Sequence, residues 1–96
     1  MEPVVLINPV EVTEEQEIAF LEKWIGFAHK VRRQPGLISL NLHRSIEPFS
    51  RFRFVIVEHW KSEEELRKGM EAMGAPAGHH DFPCPHFPGL YRIFSR

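Results

Sequence analysis

The sequence predicts an α+β domain with the element order β-α-β-β-α-β, on three observations. Four apolar runs are short and strand-like, two longer ones recur at helical spacing, and each helical run opens on a Ser/Thr-x-x-Glu/Gln capping box. A chain of 96 residues can bury one small core and not two, so residues 1–96 are read as a single domain.

The first strand runs from Val4 to Val12, with Val4, Leu6, Asn8, Val10 and Val12 sharing one face. Pro9 has no N–H to give, which marks this strand as an edge, or as bulged there. Thr13-Glu-Glu-Gln16 then starts a helix with acidic residues in its first turn. Ile18, Phe20, Leu21, Trp24, Ile25, Phe27, Ala28 and Val31 give it a wide apolar face, and Pro35-Gly36 ends it. The second strand spans Leu37 to Ile46, with Ile38, Leu40, Leu42, Arg44 and Ile46 opposing Ser39, Asn41, His43 and Ser45. Glu47-Pro-Phe-Ser50 is a turn signal, so the third strand, Phe52 to Trp60, is expected to return antiparallel beside it. Ser62-Glu-Glu-Glu65 opens a second helix with Leu66, Met70 and Met73 as its stripe and Gly69 as a weak point. Residues 75–88 read as an ordered loop, because Phe82 and Phe87 call for burial, and Leu90 to Phe94 form the fourth strand.

This order is that of the ferredoxin-like, split βαβ arrangement, with both helices on one face of a four-stranded antiparallel sheet. The third strand complicates a bare outer face. It carries Phe52, Phe54 and Ile56 on one side and Val55 and Val57 on the other, so whichever side meets the helices, the other still needs a cover. A second copy stacked sheet to sheet is the simplest one, which makes the expected assembly a homodimeric α+β barrel.

Composition narrows the function classes. A net charge of -1 and no basic run longer than Arg32-Arg33 argue against nucleic acid. The apolar runs are too short for a membrane span or a signal segment, and with the lone Cys84 the expected location is cytoplasmic.

Val5-Leu-Ile-Asn8-Pro9, Arg33-Gln-Pro-Gly36, Leu42-His-Arg-Ser45, Phe52-Arg-Phe-Val55 and Glu58-His-Trp60-Lys-Ser62 follow one another in the order and spacing of a known family. In these runs, over nearly all of residues 4 to 73, the chain resembles the antibiotic biosynthesis monooxygenases. The resemblance implies a dimeric α+β barrel and oxygen-dependent chemistry on aromatic, often polycyclic, phenols without metal or flavin. It carries over Asn8 and Trp60, which match polar and aromatic residues lining a pocket between sheet and helices. A related branch degrades haem and has a histidine on or after the second helix. Met70 to Met73 offers none here, and the first histidines in line are His79 and His80.

Cofactor-free oxygenation needs a substrate anion, a base and a dry pocket. Asn8 is expected to donate to a substrate oxygen or bound oxygen species, or else to satisfy backbone left open by Pro9. Trp60 is either a stacking wall or core. His43, His59 and Glu58 are the candidate bases, and strand parity puts Glu58, not His59, on the face of Trp60. The bland reading of each histidine is a surface or interface residue. Arg44 and Arg53 would steer an anion or, more simply, pair with Glu47 or Glu58 in the dimer. Tyr91 would donate a proton or pack. His79-His-Asp-Phe-Pro-Cys-Pro-His86 holds ligand-competent side chains, but its spacing matches no established metal pattern. It reads as a loop over the pocket mouth, with His79 or His80 near substrate. The expected function is a cofactor-independent monooxygenase of a quinol- or phenol-type aromatic. A non-catalytic dimeric ligand-binding module is the alternative, and haem binding or degradation ranks third.

Overall fold

The computed structural model describes residues 2–74 and 82–96. Its elements are β1 (Val4–Val10), a 3-10 turn (Glu14–Gln16) leading into α1 (Glu17–Arg32), β2 (Leu37–Arg44), β3 (Phe54–Trp60), α2 (Glu63–Ala72) and β4 (Gly89–Tyr91). The four strands form one antiparallel sheet in the order β2-β3-β1-β4, the ferredoxin-like arrangement.

Thr13 makes both halves of its capping box with Gln16. The Ser62 hydroxyl accepts from the Glu65 N–H at 3.1 Å and starts α2. Helix α1 buries a narrower face than its spacing predicts. Phe20, Ala28 and Val31 are buried, whereas Ile18 and Ile25 are 74% and 69% exposed. These two lie on the side of α1 turned from the sheet, where no other element covers them among the described residues.

β1 is an inner strand, not an edge. Its missing donor at Pro9 falls where the outer ladder breaks. β4 pairs with Val5 to Ile7, and the chain then pairs again at Val10 and His86, with the Phe87 N–H donating to the Pro9 carbonyl. β2 carries a register shift between Leu37 and Ser39, so Leu37 lies beside Trp60 and Ile38 turns outward at 56% exposure. The last strand ends at Tyr91, and Ile93 and Phe94 are exposed.

The sheet's two faces separate by parity. Val4, Leu6, Asn8 and Val10 of β1 and Phe54, Ile56, Glu58 and Trp60 of β3 are all buried. Phe20 stacks on Phe54 with centroids 5.0 Å apart, and Phe82 closes the cluster at 5.2 Å from Phe20 and 5.4 Å from Phe27. Phe82 is therefore the anchor expected of its segment. Phe87 is not core: it is half exposed, against Phe52 and the Arg51 guanidinium. The opposite face presents Val5, Ile7, Val55 and Val57, all half-buried. Among the described residues no helix is long and apolar enough to cross a membrane.

Candidate functional site

Three cross-strand rows on the helix-facing side bring polar groups into an apolar layer. Val4 opposes Trp60, Leu6 opposes Glu58 with Leu40 beyond it, and Asn8 opposes Ile56 with Leu42 beyond it. Asn8, Glu58 and Trp60 thus climb one face in successive rows, and each is 0% exposed. Together with Ser62, Asn8 and Glu58 are the buried polar residues among those described.

Asn8 is the unusual one. Neither its Nδ2 nor its Oδ1 has a hydrogen-bond partner among the described residues. Burying an amide in this way costs about 1–3 kcal/mol, and native proteins rarely leave such a group without a role. The backbone-satisfying role considered for it beside Pro9 is absent, because the Pro9 carbonyl is served by the Phe87 N–H.

Trp60 is oriented by two neighbours. Its indole N–H donates to Glu58 Oε1 at 2.9 Å, so that N–H is committed within the protein and does not point to a ligand. Its six-membered ring lies under Gly69 of α2, where an added Cβ would fall 2.6 Å from Cη2 and 2.8 Å from Cζ3. Gly69, read in sequence as a weak point, is the seat that lets α2 close on the indole. Its one sequence signal was a glycine inside an otherwise regular helix. Gly69→Ala is expected to lower stability by about 1–3 kcal/mol through overpacking, despite alanine's helix preference of up to about 1 kcal/mol. A lower melting midpoint together with shifted tryptophan emission would register the displaced ring.

The remaining candidates lie elsewhere. His43 opposes Val55 and His59 opposes Ser39, both on the face turned away from Asn8. The two pairings lie four positions apart along β3, so the histidines are not cross-strand neighbours. Glu58 alone of the three candidate bases shares the Asn8 face, beside the Trp60 with which parity had grouped it. Tyr91 belongs to the outer face, opposite Val5, and its ring covers Gly89. Within the subunit Arg44 and Arg53 pair neither with Glu47 nor with Glu58, the partners expected for them in the dimer. Both reach Glu17 at the start of α1, Arg53 at 3.4 Å, a partner brought close only by packing of α1 on the sheet. These half-exposed pairs contribute at most about 1 kcal/mol each.

His79, His80 and Asp81, named as loop candidates, lie outside the described residues. Of that segment, Cys84 is buried and His86 is half-buried, its Nδ1 lying 3.0 Å from the Cys84 carbonyl oxygen. Burial pushes the Cys84 thiol up from its ordinary value, which disfavours the nucleophilic thiolate. Among the described residues no three His, Cys, Asp or Glu side chains are grouped so as to hold a metal ion. Helix α2 has no histidine, and His79 and His80, which follow it in sequence, lie outside the described residues.

The chain is similar to several solved structures over nearly its whole length. A provisionally assigned monooxygenase from Shewanella loihica is 28% identical, with a TM-score of 0.80 and 99% of this chain and 97% of that one covered. SnoaB, a cofactor-independent oxygenase from Streptomyces nogalater, is 17% identical with a TM-score of 0.76, covering 100% and 97%, a likeness of fold alone. A MhuD variant with two manganese protoporphyrin IX molecules bound per active site is 26% identical, with a TM-score of 0.72 and 97% and 96% covered. No curated protein matches the chain in sequence. The family model of the antibiotic biosynthesis monooxygenases matches residues 3–71, the segment that carries Asn8, Glu58, Trp60 and all but the last strand, and the chain belongs to that family.

Proposed function

We propose that this protein is a cofactor-independent oxygenase of a phenol- or quinol-type aromatic, acting as a homodimer. The observation that carries the reading is the Asn8 amide, buried on an apolar strand face with no partner among the described residues. A bound substrate would supply the partner, with its phenolate or carbonyl oxygen accepting from Nδ2.

The chemistry needs no external reductant. A methylene between electron-rich rings gives up a proton, and the resulting anion donates electrons to O2 as a C–O bond forms. Loss of the second hydrogen with cleavage of the O–O bond leaves a ketone and water, so CH2 plus O2 becomes C=O plus H2O. Asn8 would favour the anion, and the apolar layer of Leu6, Ile56 and Leu42 would keep water from it. Glu58, one row away, is the carboxyl in reach of that layer and the candidate proton acceptor. The dimer would close over Val5, Ile7, Val55 and Val57, with His43, His59 and Tyr91 on the covered face. A porphyrin reading draws on the MhuD likeness, against the lack of a histidine on α2.

Oxygen-electrode assays on chelator-treated, flavin-free protein with an anthrone-type phenol test the proposal. The expected result is consumption of one O2 per ketone formed, above autoxidation and without hydrogen peroxide. Binding of the phenol without turnover would favour the ligand-binding module, and a Soret shift on haem titration would favour porphyrin.

A further inference from the structure

We infer that the cleft between the C-terminal ends of the two helices is a second ligand site, one for small organic acids with an apolar body. It is an open cavity of about 420 Å3, lined by Lys30, Arg33 and Gln34 from the end of α1 and by Ala72 and Met73 from the end of α2. That volume falls within the range of small-molecule sites.

Its two walls differ in chemistry. Lys30 and Arg33 are three residues apart, so their side chains leave α1 on one face. No carboxylate pairs with either among the described residues, nor with Arg32 beside them, whereas Arg44, Arg51, Arg53, Arg67 and Arg92 each have an acidic partner. The opposite wall is the Ala72 methyl and the Met73 thioether, and Met73 also packs on the core. A carboxylate between the two cations, with its hydrocarbon against Ala72 and Met73, satisfies both walls. The Gln34 side chain donates from Nε2 to the Lys30 carbonyl at 3.2 Å.

The cleft is separate from the Asn8 row, which lies two rows along the sheet from Trp60. It does share a wall with the indole. A Cβ at Gly69 would meet Trp60 on one side and Gln34 Cγ at 3.4 Å on the other. Cations in a last helical turn also offset the helix dipole, a role already available to His29 and Arg32. Dipole compensation alone needs no apolar wall from a second helix.

Titration with 2-naphthoate and its uncharged analogue 2-naphthamide, read by isothermal calorimetry and by melting midpoint, tests the site. The naphthoate is expected to bind at least about ten-fold tighter at low salt, with the preference shrinking as ionic strength rises. The Lys30→Gln/Arg33→Gln double variant should lose that preference, while Arg32→Gln on the same helix and Asn8→Leu in the Asn8 row should keep it. Equal binding of the amide, retention of the preference in the double variant, or an equal loss in Arg32→Gln would overturn the inference. Because Asn8→Leu leaves this site intact, its outcome stands apart from that of the oxygenase reading.

Discussion

Replacing Asn8 by leucine is expected to raise the stability of the protein and to lower its oxygen turnover by about 10²–10³-fold. The two effects have one cause. Asn8 is fully buried and neither amide atom is paired among the described residues, so folding bears the desolvation of both. An apolar side chain of similar shape removes that cost of about 1–3 kcal/mol, and each kcal/mol moves the melting midpoint of a domain this size by about 4–8 °C. A bound substrate anion would lose its donor by the same change. Thermal melts of ligand-free wild type and variant give the first sign, and initial rates of oxygen uptake give the second. If Asn8 served the fold instead, Asn8→Leu would melt earlier and its activity would fall only with the folded fraction.

Trp60→Ala is expected to cost about 3–5 kcal/mol, a large part of the stability of any domain of this size. The indole is 0% exposed, is roofed by Gly69 of α2, and gives its N–H to Glu58. Truncation leaves a cavity under the helix and removes the indole bond to Glu58 Oε1. Trp60→Phe separates the two contributions. It keeps most of the packing and removes only the N–H, so about 1–3 kcal/mol is expected. Urea denaturation of both variants checks the pair of values. A tryptophan that was chiefly the wall of an open ligand cavity would tolerate alanine with a loss below about 1 kcal/mol, and activity would then fall without a matching loss of stability.

These expectations draw on sequence and structure unequally. The hairpin, both capping residues and the Glu58–Trp60 parity were legible in the chain, because strand alternation and helix starts are local properties. The exposure of Ile18 and Ile25 was not, since spacing defines a helix face but not how much of it a small sheet can cover. Nor was the inner position of β1, where Pro9 is accommodated only because β4 and the His86 pairing leave a gap at that residue. His43 and His59 carried catalytic promise by type, and parity had already hinted that His59 faces away from Trp60. Which side the helices occupy had to be seen before both could be assigned to the outer face.

By itself the sequence determined the element order, the fold class and the family, because each follows from patterns a few residues long, repeated in a characteristic order. Tertiary structure alone decided what those side chains meet. It gave the Trp60 N–H to Glu58, turned Gly69 from a helix defect into a seat for the indole, and sent Arg44 and Arg53 to Glu17. It also left the Asn8 amide in the apolar layer without a partner among the described residues. Such contacts join residues distant in the chain, and they depend on register and on the crossing of helix over sheet, which no local pattern encodes.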